Sequence, residues 1–214
     1  MDDITLNLIT FAAFLLIGGL VFFFVRRRQA QNEQELIQLA ATKGWKYETV
    51  HEPLASGLRL SSPRWTLEAI SSSSGRESGP GSSDVSASTT WRADAPGSTF
   101  LLGERTSQAN LGEMGEMLTR QVLQLALGAD ANGLHEIQTG SPAFQQKYML
   151  WAKDDELSIP SGIENILLGW KGRKPLIKRT SSGLVIELRD THLKKAPDLM
   201  ALVQLGESIL GVVS

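Results

Sequence analysis

The chain has 214 residues, and 21 lysines and arginines against 23 aspartates and glutamates give it a formal net charge of −2. This balance argues against a nucleic-acid binder, which normally carries a strong basic excess. The absence of cysteine excludes disulfide frameworks, thiolate zinc sites, iron–sulfur clusters and cysteine nucleophiles.

The first predicted element is a membrane anchor, the uncharged apolar run Ile4–Val25. At about 1.5 Å per residue a helix of this length reaches roughly 33 Å, enough to span a hydrocarbon core of about 30 Å. Asp2 and Asp3 precede the run and arginines 26–28 follow it, the reverse of the flanks of a cleaved signal peptide. The positive-inside bias therefore predicts a single-pass protein of the bacterial inner membrane, with its N-terminus outside and its C-terminal domain in the cytoplasm.

The sequence divides into an anchor with its basic stop at residues 1–28, a stalk helix at 29–44 and a cytosolic domain at 45–214. The stalk is predicted from good helix formers that end at Lys43-Gly44. Whether the domain is one unit or two halves, 45–130 and 131–214, stays open at this point.

The first part of the domain predicts an antiparallel meander, because apolar and polar side chains alternate in several short segments. Trp65 and Trp91 fall on the apolar side of that pattern and are expected to be buried. The serine- and glycine-rich segment Ser71–Asp84 is predicted to be a solvated loop. The predicted strands are residues 45–50, 64–70, 85–91 and 98–104.

Two amphipathic helices are predicted to pack on the sheet, Asn110–Leu127 and Ala196–Val213. A short third helix at about 162–170 and a hairpin of strands, 174–179 and 184–188, lie between them. The predicted fold class is therefore α+β: a transmembrane helix that continues into a stalk, then an antiparallel sheet with two packed helices and a short third one. The apolar face of the first helix is expected to consist of Leu111, Met114, Leu118, Val122 and Leu125.

One segment of the second half resembles a pattern found in uncharacterised bacterial membrane-anchored proteins that carry a single N-terminal span and an α+β domain. Phe144 and Tyr148 stand at its two aromatic positions, Met149-Leu150 near its aliphatic one, and Ala152 and Asp154 at its last two. The resemblance covers roughly residues 134–210. It implies the architecture described above and no catalytic residue.

Basic residues cluster late in the chain, beside Trp170 and before Lys194 and Lys195. Near an anionic membrane surface each such cation contributes about 1 kcal/mol of binding, so the cluster is a candidate contact with anionic lipid or with a protein partner. An ordinary hairpin with solvated lysines is the alternative. The candidate contact residues are Lys171, Arg173, Lys174, Lys178 and Arg179.

The sequence contains no decisive catalytic, cofactor or metal motif. His51-Glu52 and His135-Glu136 each join an imidazole to a carboxylate, but neither extends to H-E-x-x-H. We therefore expect a non-catalytic interaction module or an accessory subunit of a membrane complex, with the membrane and other membrane proteins as partners. A membrane-tethered enzyme is the alternative, and a pocket that holds a histidine beside Asp154 or Glu136 would favour it. A domain outside the cytoplasm is a third hypothesis, which requires the arginines to be overridden.

Overall fold

The computed structural model describes the backbone of residues 3–73, 85–105, 121 and 123–213, and side chains from residue 17 onward within those ranges except at Val85 and Val213. The helices are α1 (Asp3–Lys43), α2 (Pro142–Lys147), α3 (Ser161–Leu168) and α4 (Ala196–Val213), and residues 123–127 are also helical. The strands are β1 (Lys46–Glu52), β2 (Ala55–Ser62), β3 (Trp65–Ser73), β4 (Val85–Ala93), β5 (Phe100–Glu104), β6 (His135–Ile137), β7 (Tyr148–Ala152), β8 (Leu176–Thr180) and β9 (Gly183–Arg189).

The strands form one nine-stranded antiparallel sheet in the order β1-β2-β3-β4-β9-β8-β5-β7-β6. Three of the four strands predicted as a meander correspond to β1, β3 and β4, which form a meander with β2, a strand that the sequence pattern did not identify. The fourth, residues 98–104, corresponds to β5, which does not lie beside β4, so the predicted meander was wrong at this strand. β5 lies between β8 and β7, so a strand from residues 45–130 is inserted among strands from residues 131–214. The predicted α+β class with an antiparallel sheet is confirmed.

Helix α1 runs without a break from the predicted anchor into the predicted stalk. It ends before Gly44, whose positive φ of 70° suits a glycine that turns the chain back into β1. Leu36 and Ala40, in its last turns, are each only 2 % exposed and belong to the main core. The end of the stalk is therefore part of the domain and not a free linker.

The main core lies on the face of the sheet that α1, α3 and α4 cover. Trp65 and Trp91 are buried there, as the alternation of the strands predicted. Phe144 of α2 stacks on Tyr148 of β7 with ring centroids 5.1 Å apart, and both side chains are buried. The aromatic positions of the resemblance are therefore core positions. Helix α4 was predicted to be amphipathic, and five apolar side chains along it are buried: Leu199, Leu202, Val203, Ile209 and Leu210.

On the opposite face, helical residues 123–127 cover part of the sheet, and this region corrects one prediction. Leu125 is 86 % exposed, whereas Leu123, Ala126 and Leu127 pack against Leu101. The predicted apolar face was therefore wrong at Leu125, because a spacing of three and four fits two neighbouring faces of a short helix equally well. The rest of that face, residues 111, 114, 118 and 122, lies outside the described residues.

Among the residues whose side chains are described, no helix is both long and apolar enough to cross a membrane. Of the predicted span Ile4–Val25, the side chains of residues 4–16 lie outside that set.

Candidate functional site

The strand directions bring two loops to the end of the sheet from which α1 enters the domain. β1 runs away from Gly44 alongside α1, and Thr49 and His51 of β1 line a pocket with Gln29 and Asn32 of α1. The N-terminal part of α1 therefore leaves the domain at the end of the sheet where β1 turns into β2. We call this the anchor-side end. It comprises the β1–β2 turn at residues 53–54, the 169–175 loop before β8 and the 190–195 loop after β9.

The register of the sheet fixes the position of these loops along the strand direction. Arg189, the last residue of β9, lies in the same row as Val50 of β1, two residues before the β1–β2 turn. Leu176, the first residue of β8, pairs with Glu187 of β9. The 169–175 loop therefore ends, and the 190–195 loop begins, level with the last residues of β1. The row consists of the successive pairs Val50–Gly57, Gly57–Ile70, Ile70–Ser88 and Ser88–Arg189.

Positive charge concentrates at the anchor-side end. The 169–175 loop contributes Lys171, Arg173 and Lys174, and the 190–195 loop contributes Lys194 and Lys195 against the single carboxylate Asp190. Arginines 26–28 of α1 are exposed on the helix that enters at the same end. The sequence therefore spreads these cations over three distant segments, and the fold gathers them at one end of the sheet.

The five basic residues singled out in the sequence do not form one patch. Lys171 and Arg173 line the same groove. Lys174 donates to Glu104 at 2.7 Å and stands 5.6 Å from the ring centroid of Tyr148. Lys178 donates to the carbonyl oxygen of Ala126 at 3.2 Å.

Arg179 is bound by the chain segment that precedes β5. Its guanidinium donates to the carbonyl oxygens of Ala95 and Pro96, at 3.2 and 2.9 Å. Lys178 and Arg179 also project from opposite faces of β8, since Leu176 belongs to the smaller core and Ile177 to the main one. Neighbours in the sequence are therefore separated by the sheet itself.

The groove at the anchor-side end has a volume of about 560 Å³ and lies between α3, the 169–175 loop, the 190–195 loop and α4. Its apolar lining is Ile166, Trp170, Leu188, Leu193 and Ala201. Lys171 and Arg173 supply positive charge, and Asp198 on α4 supplies one negative charge. Thr191 and Gln204 add neutral polar groups.

Local contacts shape the 169–175 loop around this groove. The indole nitrogen of Trp170 donates to the carbonyl oxygen of Arg173 at 3.0 Å. Gly172, between them, has a φ of 91°, which a residue with a side chain adopts only with strain. Arg173 pairs with Asp190 at 2.7 Å and so ties this loop to the 190–195 loop. The sequence pattern did not identify the groove, because its walls come from four separate segments.

A second pocket, of about 340 Å³, lies between α1 and the sheet, and we call it the stalk pocket. It contains two of the three histidines, His51 and His192, together with Glu33, Tyr47 and Lys194. Burial, with the nearby charge of Lys194, lowers the pKa of His192. Burial also raises the pKa of the Tyr47 phenol. The stalk pocket therefore favours the neutral forms of both side chains.

The third histidine is elsewhere and exposed. His135 pairs with Asp155, and this hydrogen bond raises the pKa of the imidazole. Glu136 pairs with Arg105 at 2.6 Å. Neither Glu136 nor Asp154 lines the stalk pocket, so the combination that would favour an enzyme does not form there. Within the described ranges, no three histidines or carboxylates gather as metal ligands would.

No protein-family model, curated protein or solved structure matches the chain. The resemblance over residues 134–210 is thus supported by no family model, and the arguments that follow rest on the residues alone.

Proposed function

We propose that this chain is a single-pass membrane protein whose α+β domain is a non-catalytic interaction module, held at the cytoplasmic surface as an accessory subunit of a membrane complex. The observation that carries the proposal is the continuity of α1. One helix joins a stretch of exposed apolar side chains to two residues of the domain core.

The exposed stretch supports the anchor. Every large apolar side chain from residue 17 to residue 25 is between 50 and 65 % exposed, and these side chains point all around the helix. A helix that is apolar all round needs an apolar environment, and a lipid bilayer supplies one. The residues are Ile17, Leu20, Val21, Phe22, Phe23, Phe24 and Val25. The arginines that follow favour a cytoplasmic domain.

The burial of Leu36 and Ala40 supports a fixed position of the domain. From Val25 to Leu36 the helix rises by roughly 16 Å, so the core begins close to the membrane surface. A domain joined in this way cannot turn freely about the anchor. Its anchor-side end therefore faces the bilayer, and its other surfaces face the cytoplasm.

The outer face of β1 to β4 supports the role as an interaction module. It is polar, with Arg59 paired to Glu68 at 2.7 Å and to Glu48 at 3.6 Å. No described element packs on this part of the sheet. A whole non-obligate interface is about as polar as the rest of a protein surface, so a broad polar sheet face is compatible with a protein partner.

The test is a mild-detergent pull-down of the tagged full-length chain from its native membrane. The control is a chain in which residues 1–25 are replaced by an unrelated transmembrane span, which keeps Leu36 and Ala40 in the core. A stoichiometric membrane-protein partner with the native chain supports an accessory subunit. If alkaline carbonate extracts the native chain from the membrane, the proposed anchor is contradicted. If the native chain purifies without a partner, the proposed role as an accessory subunit is contradicted.

Binding to anionic lipid is the second candidate function, and the position of the cations favours it. Lys171, Arg173, Lys194 and Lys195 all lie at the anchor-side end. In the proposed topology this end faces the inner leaflet, where each cation adds about 1 kcal/mol of attraction to an anionic surface.

A further inference from the structure

The groove between the 169–175 loop and α4 has the form of a site for an amphipathic anion. Its volume of about 560 Å³ lies within the range of roughly 300–1,000 Å³ that is typical of small-molecule sites. Leu188, Leu193 and Ala201 provide apolar wall, and the two cationic side chains stand on one loop. Such a lining matches a molecule with a negatively charged head and a hydrocarbon tail.

The charges of the groove are unevenly placed. Arg173 is already paired with Asp190, which lies outside the lining, whereas Lys171 has no carboxylate partner among the described residues. Asp198 belongs to α4 and not to the 169–175 loop. An anion would therefore bind at the side of Lys171, where the ammonium group can donate hydrogen bonds to phosphate oxygens.

The groove is also close to the proposed membrane surface. Successive residues of the 190–195 loop line two cavities: Thr191 and Leu193 line the groove, while His192 and Lys194 line the stalk pocket. The stalk pocket in turn includes Gln29, which directly follows the arginines at the end of the predicted span. One loop therefore separates the groove from the point where α1 would leave the bilayer.

We infer that the groove binds a single anionic phospholipid from the leaflet that faces the domain, with its phosphate at Lys171 and part of an acyl chain against Leu188, Leu193 and Ala201. This inference depends on the proposed anchor. It goes beyond a general attraction to negative surfaces, because it requires an apolar cavity and a defined stoichiometry of one lipid per chain.

The test uses the full chain in nanodiscs of phosphatidylcholine that contain a minor fraction of a brominated phospholipid, which quenches an indole on contact. The chain has five tryptophans. The contribution of Trp170 to the fluorescence and to its quenching is obtained by comparing the native chain with Trp170→Phe. We expect brominated phosphatidylglycerol to quench the Trp170 fluorescence at fractions where brominated phosphatidylcholine does not.

Two variants separate the groove from the surface charge. Lys171→Glu with Arg173→Glu is expected to weaken the preference for phosphatidylglycerol at least roughly thirtyfold, since it removes two cations that contribute about 1 kcal/mol each. Ala201→Phe fills the apolar wall and leaves both cations in place, and it is expected to abolish the quenching. Lys153→Glu, an exposed lysine beyond the opposite end of β7, is the matched control and should leave the preference unchanged.

The outcomes are distinguishable. Equal quenching by the two lipids, or a preference that survives in Ala201→Phe, overturns the groove as a lipid site while the anchor stands. A chain that does not enter nanodiscs overturns the anchor and the lipid site together.

Discussion

Tyr148 shows how one residue connects sequence pattern, core and local geometry. Its ring stacks on Phe144, and its hydroxyl donates to the carbonyl oxygen of Leu167 at 2.9 Å, which joins β7 to the end of α3. The sequence predicted an aromatic core position here. It could not predict the partner of the hydroxyl, because Leu167 lies on a separate element.

Tyr148→Phe keeps the ring and removes the hydrogen bond. We expect the free energy of unfolding to fall by about 1 kcal/mol, because a buried hydrogen bond is lost while the carbonyl oxygen of Leu167 keeps the backbone amide of Trp170 as a donor at 3.2 Å. Urea denaturation of the full chain in detergent measures the change. Tyr47→Phe, in the more open stalk pocket, is the control and should lower the free energy of unfolding by a smaller amount.

The same residue predicts a dependence of stability on pH. Burial, with the nearby charge of Glu104, raises the pKa of Tyr148 to about 12 from its ordinary value near 10. The unfolded chain therefore loses this proton at a lower pH than the folded chain. Burial of the neutral phenol therefore adds to the free energy of unfolding below pH 10. This contribution, about 2–3 kcal/mol, is lost as the pH rises from 10 toward 12.

Denaturation midpoints measured between pH 9 and pH 12 check this dependence. The decline should be shallower in Tyr148→Phe than in the native chain. Since the chain has two tyrosines, the ultraviolet absorbance of the phenolates can also be assigned by comparing the two variants. An equal decline in the native chain and in Tyr148→Phe would contradict the burial of this phenol.

At the scale of elements, the sequence predicts local secondary structure but not the pairing of strands that are distant along the chain. The bounds of α4 and the hairpin of β8 and β9 follow from periodicity and turn residues within a few positions. The strand order cannot be derived from such local signals, because β5 pairs with β8 and β7, which lie far along the chain. The pattern did not predict β2, because its two buried leucines, Leu58 and Leu60, have only Arg59 between them and are flanked by serines and a glycine.

The candidate site could be predicted only in part, because the sequence groups residues that are close along the chain and not those that the fold brings together. Clustering in the sequence predicted that Lys171 and Arg173 belong together, and they do line one groove. It failed to foresee that Lys178 and Arg179 lie on opposite faces of β8, although a period of two along a strand requires this. Lys194 and Lys195 reach the same end of the sheet only because β9 and β8 are antiparallel.

The contact between α4 and β4 gives a prediction at the scale of elements. Gly206 of α4 is buried, and a Cβ atom built on it would overlap the indole of Trp91. Gly206→Ala should therefore lower the free energy of unfolding by about 1–3 kcal/mol, since α4 must move away from the sheet.

Gly211→Ala, in the same helix, is the matched control. A Cβ atom at Gly211 meets nothing within 4 Å. The higher helix propensity of alanine should make this variant neutral or more stable by up to about 1 kcal/mol. If both variants gain stability alike in urea denaturation, the close approach of α4 to Trp91 is contradicted.

For the whole molecule, the distinguishing feature is that α1, the helix of the proposed anchor, also contributes residues to the domain core. If α1 spans the membrane, the register of Leu36 and Ala40 in the core sets both the height and the rotation of the domain above the bilayer. An insertion between Arg28 and Gln29 changes that height and leaves every core contact of the stalk in place.

Seven inserted helix-forming residues should raise the domain by about 10 Å and turn it by only about 20°. Because the native chain has no cysteine, Leu54→Cys at the exposed β1–β2 turn and Lys153→Cys beyond the far end of β7 each give a single labelling site. In nanodiscs with acceptor-labelled headgroups, the Leu54→Cys label should transfer energy efficiently and the Lys153→Cys label weakly. The insertion should lower the transfer at Leu54→Cys and leave the unfolding midpoint unchanged. Equal transfer from both sites in the native chain would mean that the domain has no fixed orientation, because a rigid α1 must hold one end of the sheet nearer to the bilayer.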